Sequence, residues 1–386
     1  MSARAVHIVG SAVFLPNAPV TNENMEAVLG QIGPRPSRAR ALVLRSNGIR
    51  LRHYAIDPQS GRATHSNAQL TAAAIRGLVP QGLVLDDIDC LSTGTSAPDQ
   101  LMPGHGVMVH GELGNRSCEV ITTAGICAAG VTALKYAWLS VLSGQSRCAV
   151  ATGSERASAM LHAGNFAAES DFRIGQLEAR PEIAFEKDFL RWMLSDGAGA
   201  FWLQDRPADC GLSLRIDWID IVSRADQVEV CMYAGGEKQA DGSLLSWQDL
   251  PADEWLRRSI FATRQDVRLL NAEVVRQTLA WPLQQIMRRR GLRAADIDWF
   301  LPHMSSEYFR QPMAACMEEL GLAIAPERWF TNLHTRGNTG SASIYIMIDE
   351  LLHSGRLRAG QRLLCFIPES GRFTGAFMQL TVVDHA

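Results

Sequence analysis

Three side chains capable of chemistry stand where elements begin or end. The first is Cys127, in "ITTAGICAAGVTALKYAWLSVLSG" at 121–144. Downstream of it, Val131, Leu134, Ala137, Trp138 and Val141 recur at three- and four-residue spacing, which predicts a helix with one buried face. Cys127 then lies at or near the helix N-terminus, where unpaired N–H groups and the macrodipole favour negative charge and lower a thiol's pKa. Gly125, Ala128, Ala129 and Gly130 leave room for backbone to approach a ligand. Free cysteine is also among the most buried residue types, and spacing alone favours a small hydrophobe packed under the helix. The second side chain, His303, ends the strand-like run of "DWFLPHMSS", at the edge of a sheet where clefts form. A lone histidine at a strand end is more often structural. The third, Asn338, sits between Gly337 and Gly340 in "HTRGNTGSASIYIMIDELL". It reads either as an Asx turn leading to a Ser341 or Ser343 cap, or as an amide donating into a cavity.

The elements that position these residues alternate strand and helix patterns, which argues for an α/β fold. Strand-like runs fall at 5–16, 89–97, 197–204, 213–223 and 297–306, and 362–383 reads as a terminal hairpin. The run 147–155 reads as a short buried strand passing into a Gly-Ser turn. Helical patterns cover 265–290, 307–321 and 340–355, and "MPGHGVMVHGELG" at 102–114 reads as holding a helix before the Cys127 segment. Two sets of similar content suggest related halves, 1–208 and 209–386. The polar, turn-rich segment 234–255 reads as an excursion over the surface or the mouth of a site.

Composition sets bounds. Hydrophobic residues at 47% and charged residues at 20% of 386 describe an ordinary globular chain. A net charge of −3 gives no basic field for nucleic acid. No apolar run approaches the length of a membrane span, and the N-terminus lacks a signal-peptide pattern. The eight cysteines form no CxxC pair and predict reduced thiols in a cytoplasmic protein, with no clustered zinc ligands. "GHGVMVHG" does not match the dinucleotide fingerprint.

Taken in chain order, Cys127, His303 and Asn338 resemble the Cys-His-Asn set of β-ketoacyl-acyl-carrier-protein synthase III and its relatives in the thiolase superfamily. "SAVFLPNAPVTNENMEAVL", "SNGIRLRHYA", "SDGAGAFWL" and "SGRLRAGQRLLCFIPESGRFTGAF" resemble that family's opening strand, "TGIR" stretch, "DGAGA" turn and C-terminal ending. The resemblance implies a five-layered αβαβα fold of two pseudo-repeated halves, a homodimer, and chemistry on acyl thioesters without a metal or redox cofactor. Cys127 would carry the acyl group, its own N–H and one at Gly371 would form an oxyanion hole, and His303 and Asn338 would hold a second thioester.

Departures from the family pattern refine the expectation. Glu369, Ser370 and Arg372 stand around Gly371 where the family has glycines, so a carboxylate and a guanidinium are expected beside the acyl site. They could pair with each other or cap a turn, or Glu369 could act as a base. The segment 30–50 lacks the tryptophan that stacks on coenzyme A, which favours acyl carrier protein over coenzyme A as donor. Arg310 stands near the position of the family's docking arginine. "TTAGICAAGVTALKYAWL" and "CMYAGGEKQADGSLLSW" resemble the ketosynthase branch that makes dialkylresorcinols and cyclohexanediones. The implied reaction is a Claisen condensation of two acyl or β-ketoacyl thioesters, with ring closure as its further step. The alternatives are decarboxylative malonyl condensation and acyl transfer to oxygen or nitrogen. The mixed segment 155–194 is expected to cap the site and contact a second subunit.

Overall fold

In the computed structural model the described residues are 4–32, 40–166 and 190–385. Nine strands form the main sheet: β1 (His7–Phe14), β2 (Cys90–Thr95), β3 (Glu119–Ala124), β4 (Ala149–Glu155), β5 (Gly197–Gln204), β6 (Gly211–Ser223), β7 (Trp299–Pro302), β8 (Arg362–Glu369) and β9 (Thr374–His385). Their spatial order is β7-β8-β9-β6-β1-β5-β4-β2-β3. β1 pairs with β5 along its length but with β6 only at His7 and Ile8. The sheet therefore has two wings joined at a narrow seam. In each wing the first strand pairs with the last, the last runs antiparallel to the one before it, and that strand pairs in parallel with the second. The first wing adds β3 at its edge.

Helices cover the wings in layers. α1 (Asn67–Arg76) and α2 (His105–Leu113) pack Leu70, Ile75 and Val109 on Leu91, Val150 and Ala200 of the first wing. Between the wings lie α3 (Ala129–Ser143) and α7 (Ser343–His353; the intervening helices follow below). Leu134, Ile344 and Ile348 meet Phe201 and Ala151 on one side and Leu363 and Met378 on the other. From Ser343 to Ile348 every residue of α7 is buried, as expected of a helix with no solvent face. The far face carries α4 (Val267–Val274), α5 (Trp281–Arg290) and α6 (Arg310–Glu319) against Phe300, Phe366 and Phe377. These five layers are the thiolase-like αβαβα fold. Burial of each Leu or Ile in the middle layer contributes about 1.5–3 kcal/mol.

The helical pattern over 265–290 is interrupted by a π-helical turn, Val275–Ala280, in which the Trp281 N–H donates to the Arg276 carbonyl five residues back. Pro282 is the physical cause. It has no N–H for the Thr278 carbonyl, and its ring crowds that carbonyl out of an α-helical path. The displaced oxygen lies over Gly375, where a Cβ would stand only 2.2 Å from it. The 234–255 excursion folds as a hairpin and a short helix around Trp247, Trp255 and Phe261.

Candidate active site

Three element ends converge on one space. After β3 the chain turns through Gly125 and Ile126, and α3 begins at Ala129, so Cys127 lies in the turn just before the helix. β7 delivers His303, whose N–H donates to the Phe366 carbonyl of β8 at 2.8 Å. The Asn338 N–H donates to the Met193 carbonyl at 3.0 Å, and its own carbonyl accepts from Ser195 at 2.8 Å. Its side-chain Oδ1 accepts from the Gly340 N–H at 2.9 Å. The amide oxygen is thus committed to its own turn, and Nδ2 is the group available to a ligand. Cys127, His303 and Asn338 all line a cavity of about 290 Å³. Its wall is mainly apolar, with Met160, Met193, Leu270, Val274, Phe309 and Phe366 among the lining residues.

The electrostatics correct one expectation. Burial, followed by the charges of Glu369 and Glu155, pushes the Cys127 thiol well above the ordinary thiol range. The helix start is there, but an anion already occupies it. Glu369 Oε2 accepts from the Ile126 and Ala128 N–H groups, each at 2.9 Å. These bonds satisfy the donors that would have favoured a thiolate and place a like charge beside the sulfur. At rest Cys127 is a neutral thiol. Burial alone pushes His303 down to about 4, so its imidazole is neutral near pH 7.

The remaining candidates separate. Glu369 caps the Cys127 turn and is not among the cavity's lining residues. Gly371 and Arg372 do not line it either. The Gly371 carbonyl accepts from Cys231 at 2.8 Å, and the exposed Arg372 donates from Nε to the Val228 carbonyl at 2.8 Å. A Cβ on Gly371 would meet Ile126 Cδ1 at 2.9 Å, so glycine lets the β8–β9 turn close on the Cys127 turn. Arg310 is held by Glu307 and lies over the Trp329 ring. His105 is buried between the hydroxyls of Thr71 and Ser154. Of the segment 155–194, Glu155, Ala157, Met160, Leu190, Met193 and Leu194 line the cavity, and 167–189 lies outside the described residues. Met232, Tyr233, Thr263 and Gln265, at the two ends of the excursion, line it as well.

Sequence reasoning missed Glu155. The Gly-Ser pair before it reads as a turn, yet β4 runs straight through to Glu155. The carboxyl group lines the cavity and is pushed up to about 7 by burial, against hydrogen bonds from Ser96 and Ser341. The available signal was a lone charged residue closing an otherwise uncharged, small-residue strand.

Comparison with known proteins agrees with the architecture. Residues 287–378 match the family described as 3-oxoacyl-[acyl-carrier-protein] synthase III, C terminal. The chain is 27% identical over 359 residues to the β-ketoacyl-[acyl-carrier-protein] synthase III of Xanthomonas oryzae pv. oryzae, covering 92% of each. Among solved structures, the tetronic acid condensing enzyme AbyA1 superposes with a TM-score of 0.73 at 22% identity, over 97% of this chain and 99% of that one. OleA of Xanthomonas campestris gives 0.71 at 19% identity, over 98% and 99%. Fold and relatives together define a thiolase-like condensing enzyme, an acyltransferase that forms carbon–carbon bonds. The chain is similar over nearly its whole length to β-ketoacyl-[acyl-carrier-protein] synthase III, and its C-terminal part to that family's C-terminal region.

Proposed function

We propose that this protein is a ketosynthase that joins two acyl or β-ketoacyl thioesters through an acyl-Cys127 intermediate. The observation that carries the reading is the opening of Cys127, His303 and Asn338 onto one predominantly apolar cavity. Cys127 sulfur attacks the first thioester, and the carrier thiol leaves with the proton, so a neutral resting thiol is no obstacle to balance. His303, neutral through burial, and Asn338 Nδ2 then donate to the carbonyl of the second thioester. Negative charge builds on that oxygen as the α-carbon gives up a proton and becomes nucleophilic, and the overall step returns one proton to the Cys127 sulfur when it is released. The α-carbon attacks the acyl carbonyl, a C–C bond forms, and the C–S bond to Cys127 breaks. The apolar wall supports acyl chains as the groups carried.

Acyl carrier protein is the proposed donor, and ring closure to a dialkylcyclohexanedione or dialkylresorcinol precursor is the proposed further step. Glu369 is assigned to holding the Cys127 turn, because its carboxylate is engaged there. A homodimer is supported by the edge of β3, which among the described residues pairs only with β2. In the loop between β2 and α2, Leu101 and Met102 are exposed to 72% and 85%. The eight free thiols support a cytoplasmic setting.

Intact mass spectrometry after incubation with acyl thioesters tests the intermediate. An acyl adduct on the parent that is absent from Cys127→Ala supports it, and the same adduct persisting in that variant overturns it. Product analysis with carrier-bound acyl and β-ketoacyl pairs separates condensation with and without release of CO2.

A further inference from the structure

Glu155 does more than line the cavity. Its Oε1 accepts from two backbone N–H groups, Ser96 at 3.1 Å and Ser341 at 3.2 Å. Its Oε2 meets the Ser96 hydroxyl at 2.5 Å. Ser96 follows β2, and Ser341 lies three residues beyond Asn338, so one side chain at the end of β4 ties two separate segments together. Between the two anchors sits Gly340, at φ +52°, whose N–H holds the Asn338 side-chain oxygen. A Cβ at 340 would stand 2.9 Å from Glu155 Cγ. The Asn338 turn therefore lies directly on Glu155, with a glycine where the two touch.

We infer that Glu155 is a positioning residue that sets the direction of the Asn338 amide for the condensation half of the reaction. The inference rests on the proposed role of Asn338 and goes one layer behind it. Asn338's backbone is pinned on one side by Met193 and Ser195 and its side-chain oxygen by Gly340. Glu155 packs on Gly340 and holds the Ser341 N–H, beside the bonds of the Ser341 hydroxyl to the Gly94 and Ser154 carbonyls. The hydrogen-bond pattern makes a role by shape separable from a role by charge. Glutamine in place of Glu155 keeps an oxygen for the two N–H groups and offers an N–H to the Ser96 hydroxyl. Alanine keeps neither. Loss of the lock leaves the hydrogen bonds of the Cys127 turn in place, since Glu369 makes them independently, while it lifts the Glu155 charge from the thiol.

The experiment measures the two half-reactions separately. Acylation of Cys127 is followed by intact mass spectrometry with a short straight-chain acyl thioester, and condensation by product formation from the pre-acylated enzyme. Glu155→Ala is expected to acylate at least as fast as the parent and to condense roughly a hundredfold more slowly, the scale of an ångström-sized misplacement. Glu155→Gln is expected to condense within a fewfold of the parent. In Asn338→Ala the further change Glu155→Ala should cost little, because the positioned group is already gone. If the alanine variant does not fold, Glu155→Asp, one methylene too short to reach both anchors, carries the same prediction. Normal condensation by the alanine or aspartate variant overturns the inference. So does a glutamine variant as defective as alanine, which would point to proton transfer, and so does full additivity with Asn338→Ala. Normal condensation by Asn338→Ala alone would instead remove the proposed role of Asn338.

Discussion

Replacing Glu369 with glutamine isolates the effect of one charge on the nucleophile. Glu369 Oε2 accepts from Ile126 and Ala128 N–H, each at 2.9 Å, and its charge is the second cause, after burial, of the raised Cys127 thiol. Glutamine can present an oxygen to the same two donors, so the turn keeps its shape while the charge disappears. Hydrogen bonds to a charged group contribute about 1.5–3 kcal/mol and neutral ones about 0.5–1.5. Exchanging two of them should therefore lower stability by about 2–3 kcal/mol. A like charge in contact range moves a neighbouring pKa by about one unit or more. At neutral pH, below the thiol's pKa in both proteins, each unit raises the thiolate fraction tenfold. Glu369→Gln should then be less stable by thermal denaturation, yet its Cys127 should react with iodoacetamide about tenfold faster. The adduct on the Cys127 peptide is read by mass spectrometry, because seven other thiols are present. A more stable thiol-reactive variant would still fit a charge effect on sulfur. An alkylation rate at or below the parent's would refute the reasoning, because it would mean the Glu369 charge does not hold Cys127 in its thiol form.

Other outcomes follow from the same geometry. Val275 lies on the π turn and lines the cavity. Val275→Phe should disfavour the longest acyl groups on Cys127 by about tenfold relative to the shortest, and Val275→Ala should shift preference the other way. Competition among a short-to-long acyl thioester series, read on the intact protein, checks both directions. Glu155 has a folded pKa of about 7 against 4.5 for its ordinary value. A raised acid is stabilised below its unfolded pKa and loses that contribution as pH rises through the folded value. Relative to the parent, Glu155→Gln should gain stability between pH 4.5 and 7, by up to about 3 kcal/mol, in Tm measured across that window. Arg372→Ala removes a surface hydrogen bond to the Val228 carbonyl and should leave both half-reactions within about twofold, stability changing by under about 1 kcal/mol.

The sequence by itself determined most of the frame. Alternation and apolar run length marked every strand of the main sheet except β3, because burial on both faces leaves continuous runs such as "LLCFI" in β8. Helical spacing located α3 and α7, and the chemistry of cysteine, histidine and asparagine marked three element ends that fold into one cavity wall. Tertiary structure decided the rest. The ionisation of Cys127 depends on Glu369, more than two hundred positions away in sequence, and helix position alone gave the wrong sign. Glu155 was hidden because "GSE" has turn composition, while pairing with β5 continues the strand through Glu155. The π turn needed Pro282 from the helix and Gly375 from β9 to coincide in space. Local pattern reports which face of an element is buried. It carries no information on which distant charge or carbonyl will lie against that face, and here those long-range neighbours set the state of the thiol and the shape of the cavity wall.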